Sequence, residues 1–244
     1  MSRKLSVAFY DRDTTTVARE LVGQFLCRRL SDGSILKTVI TETEAYLGLE
    51  DRACHSYGGR RTSRTEVMWG NPGRAYVYFI YGMYFCLNVV TRETGVPEAV
   101  LIRGALPIVT SASRKDWMKI EPDFKKWNRI MSGPGKLCKI LKIDKSLNGI
   151  SLKSAELWIE SGVKVSIKEI EKSPRVGIDY TMNDPAGSHQ WPLRFLWRPD
   201  LGLHQQKGST YENLFRYYKN SGKNPSRQNA KVRERSSGRN LSQT

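Results

Sequence analysis

The sequence predicts an α+β fold, with strands paired as hairpins and short helices set beside them. Three observations predict it. Two strand-like runs flank Asp32-Gly33, and two more flank Tyr81-Gly82-Met83. A stretch with apolar residues at helical spacing precedes the first pair. No internal repeat or linker divides the chain before about residue 219, so residues 1–219 are expected to form one domain.

Residues 13–23 are the first expected helix. Asp13 or Thr14 can cap it, Val17, Ala18, Leu21 and Val22 recur on one face, and Gly23 is a plausible stop. The first hairpin joins 25–30 to 35–46, and its second strand ends in Glu42-Thr43-Glu44-Ala45-Tyr46. Residues 47–74 are rich in glycine and irregular, a stretch in the middle of the domain where function is often carried. The most apolar and aromatic run, 76–90, is too long for one strand and holds Gly82 at its centre, so it reads as the second hairpin with its turn at 81–83. A short strand is expected at 99–103, a basic helix at 113–127, and a loop feeding a helix at 132–137. Further strands are expected within 149–170, notably 157–160, and a late one at 192–197. Residues 220–244 lose their apolar content to Ser, Arg, Lys and Asn, and are expected to be a basic, disordered tail.

The chain has 244 residues, 40 Lys plus Arg against 24 Asp plus Glu, and a net charge of +16. Residues 221–244 supply +5 of it, and +11 belongs to the rest. Such a balance favours polyanions, with nucleic acid first and acidic lipid second. No run approaches the roughly 18 apolar residues of a membrane span, and no secretory signal is visible at the N-terminus. The four cysteines are scattered without a C-x-x-C pair, and only three histidines exist. No metal is expected, and the thiols are expected reduced in a cytosolic or nuclear compartment.

Several residues could carry chemistry. Glu44 at a strand end beside a glycine-rich loop could be a general base, although Glu42 and Glu44 read equally as solvent-facing glutamates. The aromatic run could be plain core, or its turn could push Tyr81 and Met83 between base pairs while Tyr46, His55 and Tyr78 stack on an extruded base. Arg103 ends an apolar strand; inside the fold it needs an acceptor, for which Glu44 would serve, and it reads equally as a strand-end arginine in water. Gly133-Pro134-Gly135-Lys136 resembles a phosphate-holding helix start without matching a P-loop.

Together, the blocks Glu42–Gly48, Glu50-Asp51, Ala53-Cys54-His55-Ser56, Tyr76–Asn88, Leu101–Ala105, Ser132–Cys138, Pro174–Ile178 and Pro192–Phe195 resemble the alkyladenine (3-methyladenine) DNA glycosylase family. The resemblance runs from about residue 9 to about residue 199. It implies a compact domain with a curved sheet, a protruding hairpin and no helix-hairpin-helix motif. It implies a monomer that needs no cofactor and acts on double-stranded DNA carrying damaged purines. Glu44 would activate water, held with the help of Arg103 and the main-chain carbonyl near Val176. Tyr46, His55 and Tyr78 would wall the base pocket, and Asn88 would crowd out normal guanine. Tyr81, with Gly82 and Met83, would enter the duplex. Met68, Arg60 and Lys136 would contact DNA. The run Thr62-Ser63-Arg64-Thr65-Glu66 departs from the family pattern by setting an acidic residue beside the DNA path, and Tyr57 stands where a basic residue is expected. The compartment would be the nucleoid in a bacterium or the nucleus in a eukaryote.

Overall fold

A computed structural model describes residues 3–108, 113–120 and 131–199. The second half of the expected helix at 113–127 and the expected tail at 220–244 lie outside the described residues.

The chain opens with two helices, α1 (Val7–Tyr10) and α2 (Thr14–Leu21). The carboxylate of Asp13 accepts the amide of Thr16 at 2.7 Å, so the expected cap forms, and Val17, Ala18 and Leu21 are buried. Two hairpins follow. Strands β1 (Phe25–Arg29) and β2 (Ile35–Tyr46) form the first, and β3 (Ala75–Ile80) and β4 (Tyr84–Thr91) form the second. β5 (Glu98–Pro107) comes next, and is longer than its apolar stretch suggests. Helices α3 (Arg114–Ile120) and α4 (Pro134–Ile140) precede β6 (Leu157–Glu160), β7 (Ile170–Ser173) and β8 (Arg194–Trp197).

All eight strands join one sheet in which every pairing is antiparallel. Its main path is β3-β4-β5-β2-β1-β6, and β8 links β2 to β7. β2 is the organising strand. Along one side it pairs with β5; on the other it pairs with β1 through Val39 and then with β8 from Glu42 to Glu44. The sheet forks there, and the β2–β5 register shifts between Ile40 and Thr43. Such irregularities bend a sheet and re-aim side chains. Nearly all of β2 is therefore buried, glutamates included, rather than showing the polar-out alternation of a one-sided strand.

The β3–β4 hairpin projects from this frame. Phe79, Tyr81, Met83 and Tyr84 are all exposed near its tip. The strands are joined by Tyr81-Gly82-Met83, the turn the sequence predicts. Tyr81 and Gly82 both have positive φ, 54° and 65°, and the amide of Met83 donates to the carbonyl of Ile80 at 3.2 Å. Positive φ at these two positions is the primed geometry that follows strand twist, and it is costly for a tyrosine. Gly135 in α4 packs against the hairpin beside its turn, where an added Cβ would stand 2.8 Å from the ring of Tyr84. Cys27, Cys54, Cys86 and Cys138 are free and buried.

Candidate active site

The site grows from the fork in β2. Glu42 and Glu44 are two apart on one strand, so they face the same side. Arg103 on β5 lies where the register shifts, and its Nε reaches Glu42 Oε1 at 3.1 Å and Glu44 Oε1 at 3.3 Å. Arg194 on β8 donates from Nε to Glu42 Oε1 at 2.6 Å. Two guanidiniums therefore balance two carboxylates, which removes the repulsion expected of Glu-x-Glu. Gly104 leaves the room for this, since an added Cβ would stand 3.2 Å from Glu42.

Glu44 is 0% exposed. Three donors hold it. Besides Arg103, the amide of Val176 donates to Oε1 at 2.8 Å and the hydroxyl of Tyr46 to Oε2 at 2.9 Å. Burial pushes its pKa up, against Arg103, the Val176 amide and the Tyr46 hydroxyl, which push it down. The net direction is upward, toward that of a working base. Arg103 shows the mirror balance: burial works against its charge, but Glu44 and Glu42 hold its pKa above the ordinary value.

The aromatic residues assemble beside this carboxylate. Tyr46 follows Glu44 by two positions, and the Arg175 guanidinium lies 4.8 Å over its ring. Tyr76 and Tyr78 share a face of β3, with ring centroids 5.3 Å apart. His55 meets Tyr78 edge-on at 4.6 Å, and its Nδ1 shares a 2.9 Å hydrogen bond with the Tyr76 hydroxyl. Burial, with the charges of Arg64 and Arg60, drives the His55 pKa down to about 4. The ring is neutral at pH 7 and suited to stacking. Asn88 is buried behind these rings, its Nδ2 donating to the Tyr76 carbonyl at 3.1 Å.

The remaining expected residues separate into three groups. Tyr81, 76% exposed, stands at the hairpin tip with Gly82 and Met83. Arg60 and Lys136 are exposed, on the loop after residues 57–59 and in the first turn of α4. Met68 is 2% exposed and packs with Cys54, Tyr76, Val90 and Ala99 in the 3-10 turn Glu66–Trp69, so here it backs the aromatic wall. Val176 presents its main-chain amide to Glu44. The acidic departure is also resolved: Glu66 pairs with Arg61 through two hydrogen bonds of 2.9 and 2.6 Å.

Three residues with no assigned role in the sequence reading complete the site. Arg194 is one. The others are Asp51 and Arg175, a fully buried bidentate pair. Arg175 also donates to the carbonyls of Ala45 and Ser188, and Asp51 accepts the amides of Leu47 and Ala53. The pair ties the 47–53 loop to the 174–177 segment and so fixes Tyr46, His55 and Val176 relative to Glu44. Asp51 and Arg175 both lie inside blocks that carry the resemblance, but nothing local to either shows that they meet.

A buried base beneath electron-rich rings, beside an exposed aromatic turn, is the equipment for removing a base from a nucleic acid. Residues 8–200 match the methylpurine-DNA glycosylase family. The chain belongs to that family. It is a DNA glycosylase, an enzyme of DNA repair. Its similarity to individual proteins is equally extended. It is 44% identical over 194 residues to a protein of Desulfitobacterium hafniense, covering 78% of this chain and 93% of that one. It is 46% identical over 177 residues to one of Methanocella arvoryzae, covering 72% and 85%. It is 45% identical over 196 residues to one of Bdellovibrio bacteriovorus, covering 79% and 94%. All three carry the name "Putative 3-methyladenine DNA glycosylase".

Proposed function

We propose that this glycosylase is monofunctional. It turns a damaged purine out of double-stranded DNA and hydrolyses its N-glycosidic bond, leaving an abasic site. The substrate class is alkylated or deaminated purine: 3-methyladenine, 7-methylguanine, hypoxanthine and ethenoadenine. The observation that carries the reading is Glu44, a carboxylate wholly buried beside the aromatic cluster and held by three donors. A protein that only bound flipped bases would have no use for so costly a buried charge.

The chemistry follows from the residues. Tyr46 on one side and His55 with Tyr78 on the other would stack the extruded base. Their π faces favour a cationic, alkylated purine. As the bond to C1′ breaks, its electron pair leaves with the base and the sugar becomes oxocarbenium-like. Glu44, as carboxylate, stabilises that cation and takes a proton from the water that adds to C1′. Arg103 keeps Glu44 oriented. A cationic base departs neutral. A neutral lesion must first gain a proton, and no side chain of the cluster is an evident acid. No lysine stands in the cluster to form a Schiff base, so strand cleavage is not part of the reaction. Tyr81, helped by Met83, would fill the space left in the duplex, and Asn88 would exclude guanine by crowding its amino group. The enzyme would act as a monomer, in the nucleoid or the nucleus.

The test is base release from a labelled duplex holding one hypoxanthine or ethenoadenine, repeated on methylated DNA. Wild type should give strand breaks only after alkali, and Glu44→Gln should give none while still binding the lesion. Turnover by Glu44→Gln would remove Glu44 from its role. No product from wild type on any of these substrates would defeat the glycosylase chemistry proposed here.

A further inference from the structure

The segment that supplies the Val176 amide to Glu44 continues into a second exposed apolar group. Tyr180 is 67% exposed and Met182 is 61% exposed. Thr181 between them is buried, with its hydroxyl on the Ile178 carbonyl at 2.8 Å, so the two neighbours are turned outward together. The ring of Tyr180 is exposed but its hydroxyl is not loose: it donates to the carbonyl of Ala53 at 3.2 Å, two residues from His55. Burial at that end raises the phenol pKa; the charges of Asp51 and Tyr81 add to the rise, and Arg175 opposes it. The ring is thus held near both the proposed pocket and the hairpin tip. A Tyr-x-Met triplet therefore stands on the 180–182 turn as another stands at 81–83 on the hairpin.

Two exposed aromatic–methionine pairs on a monomeric protein need a partner. A chain with a net charge of +16 and a DNA substrate already has one of fitting chemistry. We infer that Tyr180 and Met182 form a second DNA-contacting rim, packing on the sugar and base edge of the damaged duplex across the mouth of the site from Tyr81. The inference rests on the base-extrusion reading above. It makes Tyr180 a positioning residue: it acts by holding the opened duplex, not on the bond that breaks.

Single-turnover base release from a lesion duplex, with full-length enzyme in excess over a range of concentrations, tests this. Wild type is the control. Its failure to release base defeats both readings, whereas with base release present only Tyr180 is at stake. Tyr180→Ala should raise the half-saturating enzyme concentration about tenfold, the loss expected for one aromatic stacking contact. The rate at saturation, the melting temperature and the affinity for lesion-free duplex should stay near wild type. Tyr180→Phe keeps the ring and should retain most of the binding. An unchanged half-saturating concentration in Tyr180→Ala would overturn the inference. So would an equal loss on lesion-free duplex, or a fall in melting temperature that accounts for the change.

Discussion

Glu44 illustrates how a single residue trades stability for chemistry. Burial raises its pKa, so the folded protein holds its proton more tightly than the unfolded chain does. The sign follows from linkage: stability is greatest when Glu44 is protonated and falls as pH rises through its folded pKa. Glu44→Gln does not titrate. Wild type should therefore lose stability relative to Glu44→Gln as pH rises from the usual carboxylate range toward neutrality, measured by urea denaturation at several pH values. A flat difference would mean that Arg103 and the two other donors fully offset the burial. His55 runs the other way. Its folded pKa is depressed from 6.5 to about 4, so the stability it contributes is complete above pH 6.5 and is lost as pH falls toward 4. The two effects separate because the Gln variant keeps His55. The Asp51–Arg175 pair supports both residues. Asp51→Ala would leave a buried, unpaired guanidinium, a loss of about 3–5 kcal/mol. Denaturant unfolding should show it, with reduced base release as the Val176 segment loosens. Replacement without such a loss would mean that the pair is not what anchors the two segments.

At the scale of elements, the parts that were legible from sequence were those with local causes. Asp13 caps α2, Asp32-Gly33 turns β1 into β2, and Tyr81-Gly82 turns β3 into β4; each signal lies within a few residues of its effect. Glu44, Arg103, Tyr46, His55 and Tyr78 were legible because they sit inside distinctive blocks. What was not legible depends on contacts far apart in the chain. The fork of β2 between β1 and β8 joins residues about 150 positions apart, and nothing local in Arg194 announces that it will meet Glu42. The burial of Met68 has a related cause. Its inward turn is set by packing on Cys54, Val90 and Ala99, none of them its neighbours in sequence. The loop at 57–69 carries a further consequence. Glu66 neutralises Arg61, whose guanidinium also lies 5.3 Å over the ring of Trp69. Glu66→Gln should free one cation on the loop that is proposed to face DNA. Affinity for lesion-free duplex should rise at low salt, and the dependence of log affinity on log salt should steepen by about one unit. An unchanged slope would place Arg61 away from phosphates.

Across the molecule, surface and interior divide their tasks. In the proposed reaction the positive charge draws the protein to DNA without regard to sequence, and the apolar hairpin tip and the buried carboxylate act only once a base has left its stack. The interior matters in another way. Methylating agents that damage purines also attack sulfur, and they attack the thiolate far faster than the thiol. All four cysteines are shut away from water. Burial raises every one of their pKa values, that of Cys27 to about 12 and those of Cys54, Cys86 and Cys138 likewise upward. A repair enzyme built this way offers almost no thiolate to the reagents whose damage it removes, and its cysteines can outlast the exposure that makes it necessary.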